Sequence, residues 1–400
     1  MKILVLNCGS SSIKYQLFDM ANNEEVLAKG LLEKIGLPDS FLKHKSCGKD
    51  KYEEGRHVPN HTEGIQWIIE VLLDSEKGVL KDKSEIKAAG HRVAHGGEYF
   101  QGSAFIDEQA KINIEKLIAL APLHNPANLK GIQAIEALIP GLPQVAVFDT
   151  SFHQSMPEHS YLYALPYEMY SEKKIRRYGF HGTSHKYGAE RGAAFLGLDY
   201  RDLKIITCHL GNGSSMCAID KGNSVDTSMG YTPVEGLIMG TRVGDMGLGA
   251  ILSLMENEGM TVQDANNMIN KKSGLLGISG VSSDMRDIED AAEKGNHRAQ
   301  LALDMFAYRV KKYIGSYTAA MNGLDILIFT GGIGENGCLP RKMIAGEMQF
   351  LGVDFDFEAN KDLRATDALI SKQDSKVKVL TITTNEELVI ARDTYDIVNR

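Results

Sequence analysis

The sequence has little of what marks several large classes of protein. Its five cysteines (Cys8, Cys47, Cys208, Cys217 and Cys338) are odd in number, scattered, and form no C-x-x-C pair. Neither a disulfide framework nor a zinc knuckle is expected, and a reducing cytoplasm is the natural setting. No apolar run is long enough to cross a bilayer. The opening Met1-Lys2-Ile3-Leu4-Val5-Leu6 is too short for a signal-peptide core before it meets a polar Gly/Ser loop. Positive charge is also scarce: 44 Lys and Arg against 52 Asp and Glu leave a net charge of −8. That balance argues against nucleic acid or an anionic membrane as partner, though a few local cations still suffice for a phosphate site. No low-complexity linker separates the halves, so any domains are closely joined.

What remains is an ordinary globular composition, 43% hydrophobic and 24% charged, over 400 residues, a length that suggests two domains. Lys2 to Leu6 reads as a strand, Asn7–Ser12 as a loop, and Ile13 to Phe18 as a returning strand. The arrangement recurs in Leu203 to His209, Gly211–Ser215 and Met216 to Ile219, which suggests internal duplication. Thr62 reads as the cap of a helix carrying Ile65, Ile68, Ile69, Leu72 and Leu73. Asn125-Pro126 reads as cap plus first-turn proline of a helix through Ile139. Val145 to Phe148 is a buried strand ending at Asp149. Leu303, Phe306, Val310, Tyr313 and Tyr317 share a helix face, and Asp325 to Thr330 is another buried strand. Strands alternating with helices predict an α/β fold with ligands at strand ends. Phe41 to Asn60 carries no readable pattern.

Three Gly-rich loops follow predicted strands: Asn7–Ser12, Gly211–Ser215 and Gly331–Asn336. Successive N–H groups in such turns make anion-binding concavities, and three together point to a nucleotide. None matches the Walker pattern or a G-x-G-x-x-G fingerprint. A second group is cationic and imidazole-rich: His91-Arg92, His95, His124, Arg176-Arg177, His181, His185 and Arg242. A planar carboxylate and a developing phosphoryl charge need such donors. Zinc is the rival, but no Glu follows His181 as in H-E-x-x-H. Asp149 ends a strand, and Glu386 and Glu387 open the last helix. There Thr383 or Thr384, with the Glu three residues on, reads as a capping box.

In order along the chain, Leu6–Lys14, Gly90–Val93, Ala121–Pro126, Phe148–Thr150 and Phe180–His185 resemble the motifs of the acetate kinase (acetokinase) family. So do His209–Ser214, Met239–Arg242, Thr330–Asn336 and Thr384–Glu387. The resemblance spans essentially the whole chain. It implies two duplicated ribonuclease H-like domains of the actin, sugar kinase and Hsp70 ATPase type with a cleft between them. The first domain would be 1–150 plus 386–400 and the second 151–385. It also implies a homodimer that moves the γ-phosphoryl of ATP onto acetate, and the chemistry of an already ionised acceptor predicts direct in-line transfer. Arg92 and Arg242 would hold substrate and phosphoryl, His181 the phosphoryl oxygens, His124 a lesser role, and Asp149 would orient the arginines. Asn7 and Glu386 would hold Mg²⁺, or Mn²⁺ in its place. Lys14, His209, Leu210, Gly211, Asn212, Gly213, Asp284, Met285, Arg286, Gly332, Ile333, Gly334 and Asn336 would bind the nucleotide. Ala94, Leu123, Phe180 and Pro233 would line the acyl pocket.

A carboxylate is already an anion at neutral pH, so it needs no general base. Two departures stand out. Ala94 replaces a larger Val common in the family, which would favour propionate more than a Val-lined wall does. After Arg242, Gly247 and Gly249 replace stiffer residues, which bears on how firmly Arg242 is held. The competing readings are a propionate or butyrate kinase, an actin- or Hsp70-like binding module, and a pyrophosphate-dependent relative.

Overall fold

The computed structural model describes residues 1–400, which divide into two compact units: Met1–Phe152 with Asn385–Arg400, and His153–Thr384. The first unit is built on an eight-stranded sheet. Its strands are β1 (Lys2–Cys8), β2 (Ser12–Asp19), β3 (Glu25–Glu33), β4 (Phe41–Ser46), β5 (Lys51–Gly55), β6 (Ile86–Val93), β7 (Ala104–Phe105) and β8 (Gln144–Phe148). They lie in the order β5-β4-β3-β2-β1-β6-β8-β7. The second unit holds β9 (Lys204–His209), β10 (Ser215–Asp220), β11 (Asn223–Thr227), β12 (Ile326–Thr330), β13 (Ala368–Leu369) and β14 (Lys378–Thr381), in the order β11-β10-β9-β12-β14-β13.

The six-strand order of the second sheet matches β3-β2-β1-β6-β8-β7 of the first strand for strand. In each sheet an antiparallel meander leads through the first hairpin to a strand paired in parallel with the next crossover strand, then another parallel strand and an antiparallel edge. The central parallel strands β8 and β12 are buried at every residue, as strands covered on both faces must be. β4 and β5 extend the first sheet alone. Their pattern was unreadable because the buried face of β4 carries His44 and Ser46 beside Leu42. Those polar groups bond Tyr15 and the Lys77 carbonyl.

One face of the first sheet packs Leu4, Leu6 and Ile13 against the helices His61–Leu73 and Asn125–Leu138. The other packs Ile3, Val5 and Val147 against the C-terminal helix Glu386–Val398. Gly90 permits that approach: a Cβ there would meet Thr394 Oγ1 at 2.4 Å. In the second unit the long helix His297–Ala320 lays Leu303, Phe306, Val310 and Tyr317 on the sheet.

Several local expectations change. The cap of the first helix is Asn60, not Thr62; its side chain accepts from Glu63 N–H one turn in. Asn125 is not a cap either. His124 holds that position, and the Asn125 side chain turns to the backbone of His95. Gly331–Asn336 is a turn of helix rather than a loop, entered through Gly331 at φ +76°. No capping box forms at the last helix. Asn385 caps it, while Thr383 bonds Asp367 and Thr384 bonds Glu335. The loops are also shorter than expected, since Asn7 and Cys8 remain in β1 and Ser215 starts β10.

Candidate active site

In the first unit the chemistry gathers at the C-terminal ends of β1, β6 and β8. Arg92, next to last in β6, forks onto Asp149 just beyond β8. Nε donates to Oδ1 at 2.8 Å and Nη2 to Oδ2 at 2.7 Å. Asp149 is 6% exposed and Arg92 27%, so the pair is largely withdrawn from water with one guanidinium edge still open. The adjacent Asp149 charge, opposed by burial and aided by Glu386, holds Arg92 even more firmly protonated than a free guanidinium. Glu386 Oε2 stands 3.9 Å from Arg92 Nε. Burial raises its carboxyl pKa; Arg92 lowers it and Asp149 raises it further. Glu387 pairs with Lys14 instead, and Lys14 stands opposite Asn7 in the β1–β2 register.

The Ala94–Gly96 segment is clamped by Asn128, which the sequence pattern did not single out, and by Asn125 and Thr150, whose part in this clamp it did not give. Ala94 N–H donates to Asn128 Oδ1 at 3.0 Å, and Asn128 Nδ2 donates to the Cys8 carbonyl at 2.8 Å. One amide thus ties the end of β6 to the end of β1. Asn125 bonds both backbone groups of His95, and Gly96 N–H donates to Thr150 Oγ1. The available signal was two asparagines three apart on the apolar face of a helix, a costly placement unless both are satisfied. His124 and Leu123 face solvent, Leu123 at 73% exposure.

In the second unit His181 caps the helix Gly182–Phe195 in a left-handed conformation, φ 57° and ψ 24°. A non-glycine residue held there costs about 1–3 kcal/mol, strain typical of functional positions. Its ring stacks on His209 at a 4.3 Å centroid distance, and His209 Nδ1 lies 2.7 Å from Ser184 Oγ. Arg242 Nη1 donates to the Pro233 carbonyl at 3.1 Å and lies 3.6 Å from Met239 Sδ. The Arg242 and His181 side chains converge. A Cβ placed on Gly213 would lie 3.4 Å from Arg242 Nη1 and 3.6 Å from His181 Cε1. The N–H groups of Asn212 and Gly213 make no hydrogen bond within the chain, so the turn presents free donors at that point.

Arg242 is firmly seated despite the glycines after it. Its carbonyl accepts from Met239 N–H, Thr241 bonds Asn270 and Ser273, and Val243 N–H donates to Ile269. Asp245 then accepts from Gly236 N–H and the Tyr313 hydroxyl, with Arg309 also bonding Gly236 and Asp245 carbonyls. Gly247 and Gly249 fall outside this anchorage, in the cap and first turn of the helix Leu248–Asn257. Gly240 N–H donates to the Asn212 carbonyl, docking the Arg242 segment on the Gly211–Ser214 turn.

The nucleotide candidates divide by what their donors already do. Leu210 N–H is bonded to Thr330, and the Leu210 carbonyl takes Ile333 and Gly334 N–H. Those three residues join the β9 and β12 loops and have no amide left for a ligand. Gly211 N–H goes to Ser214 Oγ. Asn336 Nδ2 bonds the Gly332 carbonyl. Met285 is buried in the core, while Asp284 caps its helix and forks with Arg286. Bonds from the Arg286 side chain and backbone bring the Asp284 carboxyl down to about 2. Phe180 packs with Met229 and Met239 in a small buried cluster.

Twin sheets of matched order with Gly-rich turns at the strand ends define an actin-like ATPase fold, here with Arg242 and His181 brought together at the Gly213 turn. A model of the acetokinase family matches residues 2–392. The acetate kinase of Thermoanaerobacter pseudethanolicus is 57% identical over 399 residues, spanning 100% of this chain and 99% of the relative. The crystal structure of Porphyromonas gingivalis acetate kinase superposes with a TM-score of 0.96 at 52% identity, covering 99% of each chain. That of a propionate kinase from Francisella tularensis gives 0.91 at 41% identity, again over 99% of each. The chain belongs to the acetokinase family and is an enzyme, an ATP-dependent kinase acting on a carboxyl group.

Proposed function

We propose that this chain is an acetate kinase that transfers the γ-phosphoryl of ATP directly to the acetate carboxylate, giving acetyl phosphate and ADP without a phosphoenzyme. The observation that carries the reading is the convergence of Arg242 and the His181 ring over the Gly213 turn. Donors there suit the equatorial oxygens of a transferring phosphoryl group, where charge develops. Arg92, pinned by Asp149, is assigned to the anionic reactants, and His124 to a lesser supporting contact. The free amides of Asn212 and Gly213 are assigned to the ATP phosphates. Lys14, His209, Asp284, Arg286, Gly332 and Asn336 are assigned to the remainder of the nucleotide. No general base is required, because the attacking carboxylate is ionised already.

A divalent cation is assigned to Asn7 and Glu386 of the first unit. The Asn7 amide and the Glu386 carboxylate are hard oxygen donors, and Mg²⁺ takes one or two such ligands with water and phosphate oxygens completing its shell. Burial has raised the Glu386 pKa, and a nearby dication would favour its ionised form. When bound, Mg²⁺ or Mn²⁺ would neutralise phosphate charge. Hydroxylamine trapping of acyl phosphate from acetate, propionate and butyrate tests the assignment. Arg92→Ala or Arg242→Ala should lower turnover by orders of magnitude, and near-normal turnover in either would refute it.

A second reading, propionate as an alternative substrate, is favoured by Ala94. With Leu123, Phe180 and Pro233 it is assigned to the methyl end of the substrate. Ala94→Val should lower the propionate-to-acetate ratio of kcat/KM roughly tenfold, within the range one methylene commands. An unchanged ratio would remove Ala94 from the pocket. No helix is long and apolar enough to cross a membrane, and we assign the enzyme to the cytoplasm as a homodimer. Support for the dimer comes from the helix Leu248–Asn257, which buries none of its residues and leaves Leu248 76% and Leu252 56% exposed. Light scattering of the Leu248→Glu/Leu252→Glu variant should show monomer if this face pairs.

A further inference from the structure

We propose that Thr207, His185 and Ser215 form a hydroxyl–imidazole relay that fixes the tautomer of His181, placing its ring proton on Nε2. The inference rests on the assignment of His181 to the phosphoryl oxygens, and it says how the ring is made ready to donate.

The chain of contacts is continuous and buried. Thr207 Oγ1 lies 2.7 Å from His185 Nδ1, His185 Nε2 lies 2.7 Å from Ser215 Oγ, and Ser215 Oγ lies 2.9 Å from His181 Nδ1. Thr207, Ser215 and His185 are all 0% exposed. Burial, with His153 and His209 beside it, holds the His185 pKa well below the usual imidazole range, so this ring is neutral and carries one proton.

The direction of the relay follows from its far end. The only hydrogen-bond partner of the Thr207 side chain is His185 Nδ1. Leaving a buried hydroxyl proton unbonded is costly, and this is its one acceptor. Thr207 therefore donates to His185 Nδ1, which places the His185 proton on Nε2, donating to Ser215 Oγ. Ser215 then has its own hydroxyl proton to give, and its remaining partner is His181 Nδ1. With Nδ1 accepting, a neutral His181 bears its proton on Nε2. That edge of the ring faces the Gly213 turn: a Cβ on Gly213 would lie 3.7 Å from Nε2. The opposite direction would leave the Thr207 proton without an acceptor. In the imidazolium form of His181, its Nδ1–H and the His185 Nε2–H would both point at Ser215 Oγ, leaving the serine proton without an acceptor. Ser215 and His185 are thus positioning residues, acting through His181.

The test uses the full chain labelled with [¹⁵N]histidine and long-range ¹H–¹⁵N correlation spectra, with His181 assigned by its missing signal in His181→Asn. The wild type should show a pyrrole-like Nε2 and a pyridine-like Nδ1. Ser215→Ala should populate the Nδ1–H form and lower kcat by roughly tenfold to a hundredfold, in line with loss of an orienting partner. KM for ATP and acetate should stay within about twofold, since ground-state binding does not use this proton. Thr207→Val should act in the same direction and Thr207→Ser should restore both readouts. A wild-type His181 protonated on Nδ1 overturns the proposal, as does a Ser215→Ala enzyme with unchanged tautomer and kcat. If Ser215→Ala does not fold, the wild-type spectrum and the Thr207 pair decide. Failure of the underlying assignment would show separately, as a His181→Asn enzyme that keeps its kcat.

Discussion

Asp149→Asn keeps the shape of the Arg92 partner and removes its charge. In the wild type two charge-assisted bonds join the pair, at 2.8 and 2.7 Å. Breaking one partner of a buried pair costs about 3–5 kcal/mol. Arg92 keeps an open edge and has Glu386 at 3.9 Å as a second anion, so the low end, about 3 kcal/mol, applies. The rate should fall about a hundredfold, because a freed guanidinium no longer holds the reactants in line. Urea denaturation measures the first quantity and hydroxylamine-trapped turnover the second. The decisive comparison is the same substitution in an Arg92→Ala background. There Asp149 is a buried carboxylate without its cation, so Asp149→Asn should stabilise rather than destabilise, and should change the residual rate little. Equal losses of stability and rate in both backgrounds would refute the view that Asp149 acts through Arg92.

Other outcomes follow from local geometry. Gly213→Ala makes only ordinary contacts with Arg242 and His181, so melting should hardly change. Its methyl occupies the convergence point, and kcat/KM should drop by about 10²–10³, the worth of one transition-state donor; unchanged turnover would place the phosphoryl elsewhere. Gly90→Ala should lower stability by about 1–3 kcal/mol through overpacking against Thr394 and Ile390, and equal urea midpoints would contradict the close helix approach. His91 is buried against Gln144 and its pKa is lowered to about 4, chiefly by burial. A folded pKa below the unfolded one means stability present above about 6.5 is lost as pH falls toward 4. At about 1.4 kcal/mol per unit this is about 3 kcal/mol. His91→Gln should flatten that part of the pH–stability curve, and a parallel curve would sink the argument.

The sequence carried most of the architecture because its signals were local. A continuous apolar run marked β1 and alternation marked β2, helical spacing marked Leu303 to Tyr317, and the Gly-rich turns stood at the strand ends where they were expected. Misreadings arose where several side chains could serve one backbone need. Asn60 rather than Thr62 caps the first helix, which starts before Thr62 at His61, and Asn385 rather than Thr383 or Thr384 caps the last, because Asp367 and Glu335 claim those threonines. β4 escaped notice because its inward residues are polar and are satisfied by Tyr15 and Lys77, far away in the chain.

Motif order by itself determined the family, the α/β duplication and the set of candidate residues, since these depend on residue types at fixed positions along one chain. Which donors remain available for a ligand was decided only by tertiary structure. Leu210, Ile333 and Gly334 turn their amides to one another, Asn212 and Gly213 keep theirs free, and Ser215 and Thr207 set the state of His181. A backbone N–H or a ring proton goes to whichever acceptor the fold brings near. That choice is made across strands and helices, at separations a linear pattern does not encode.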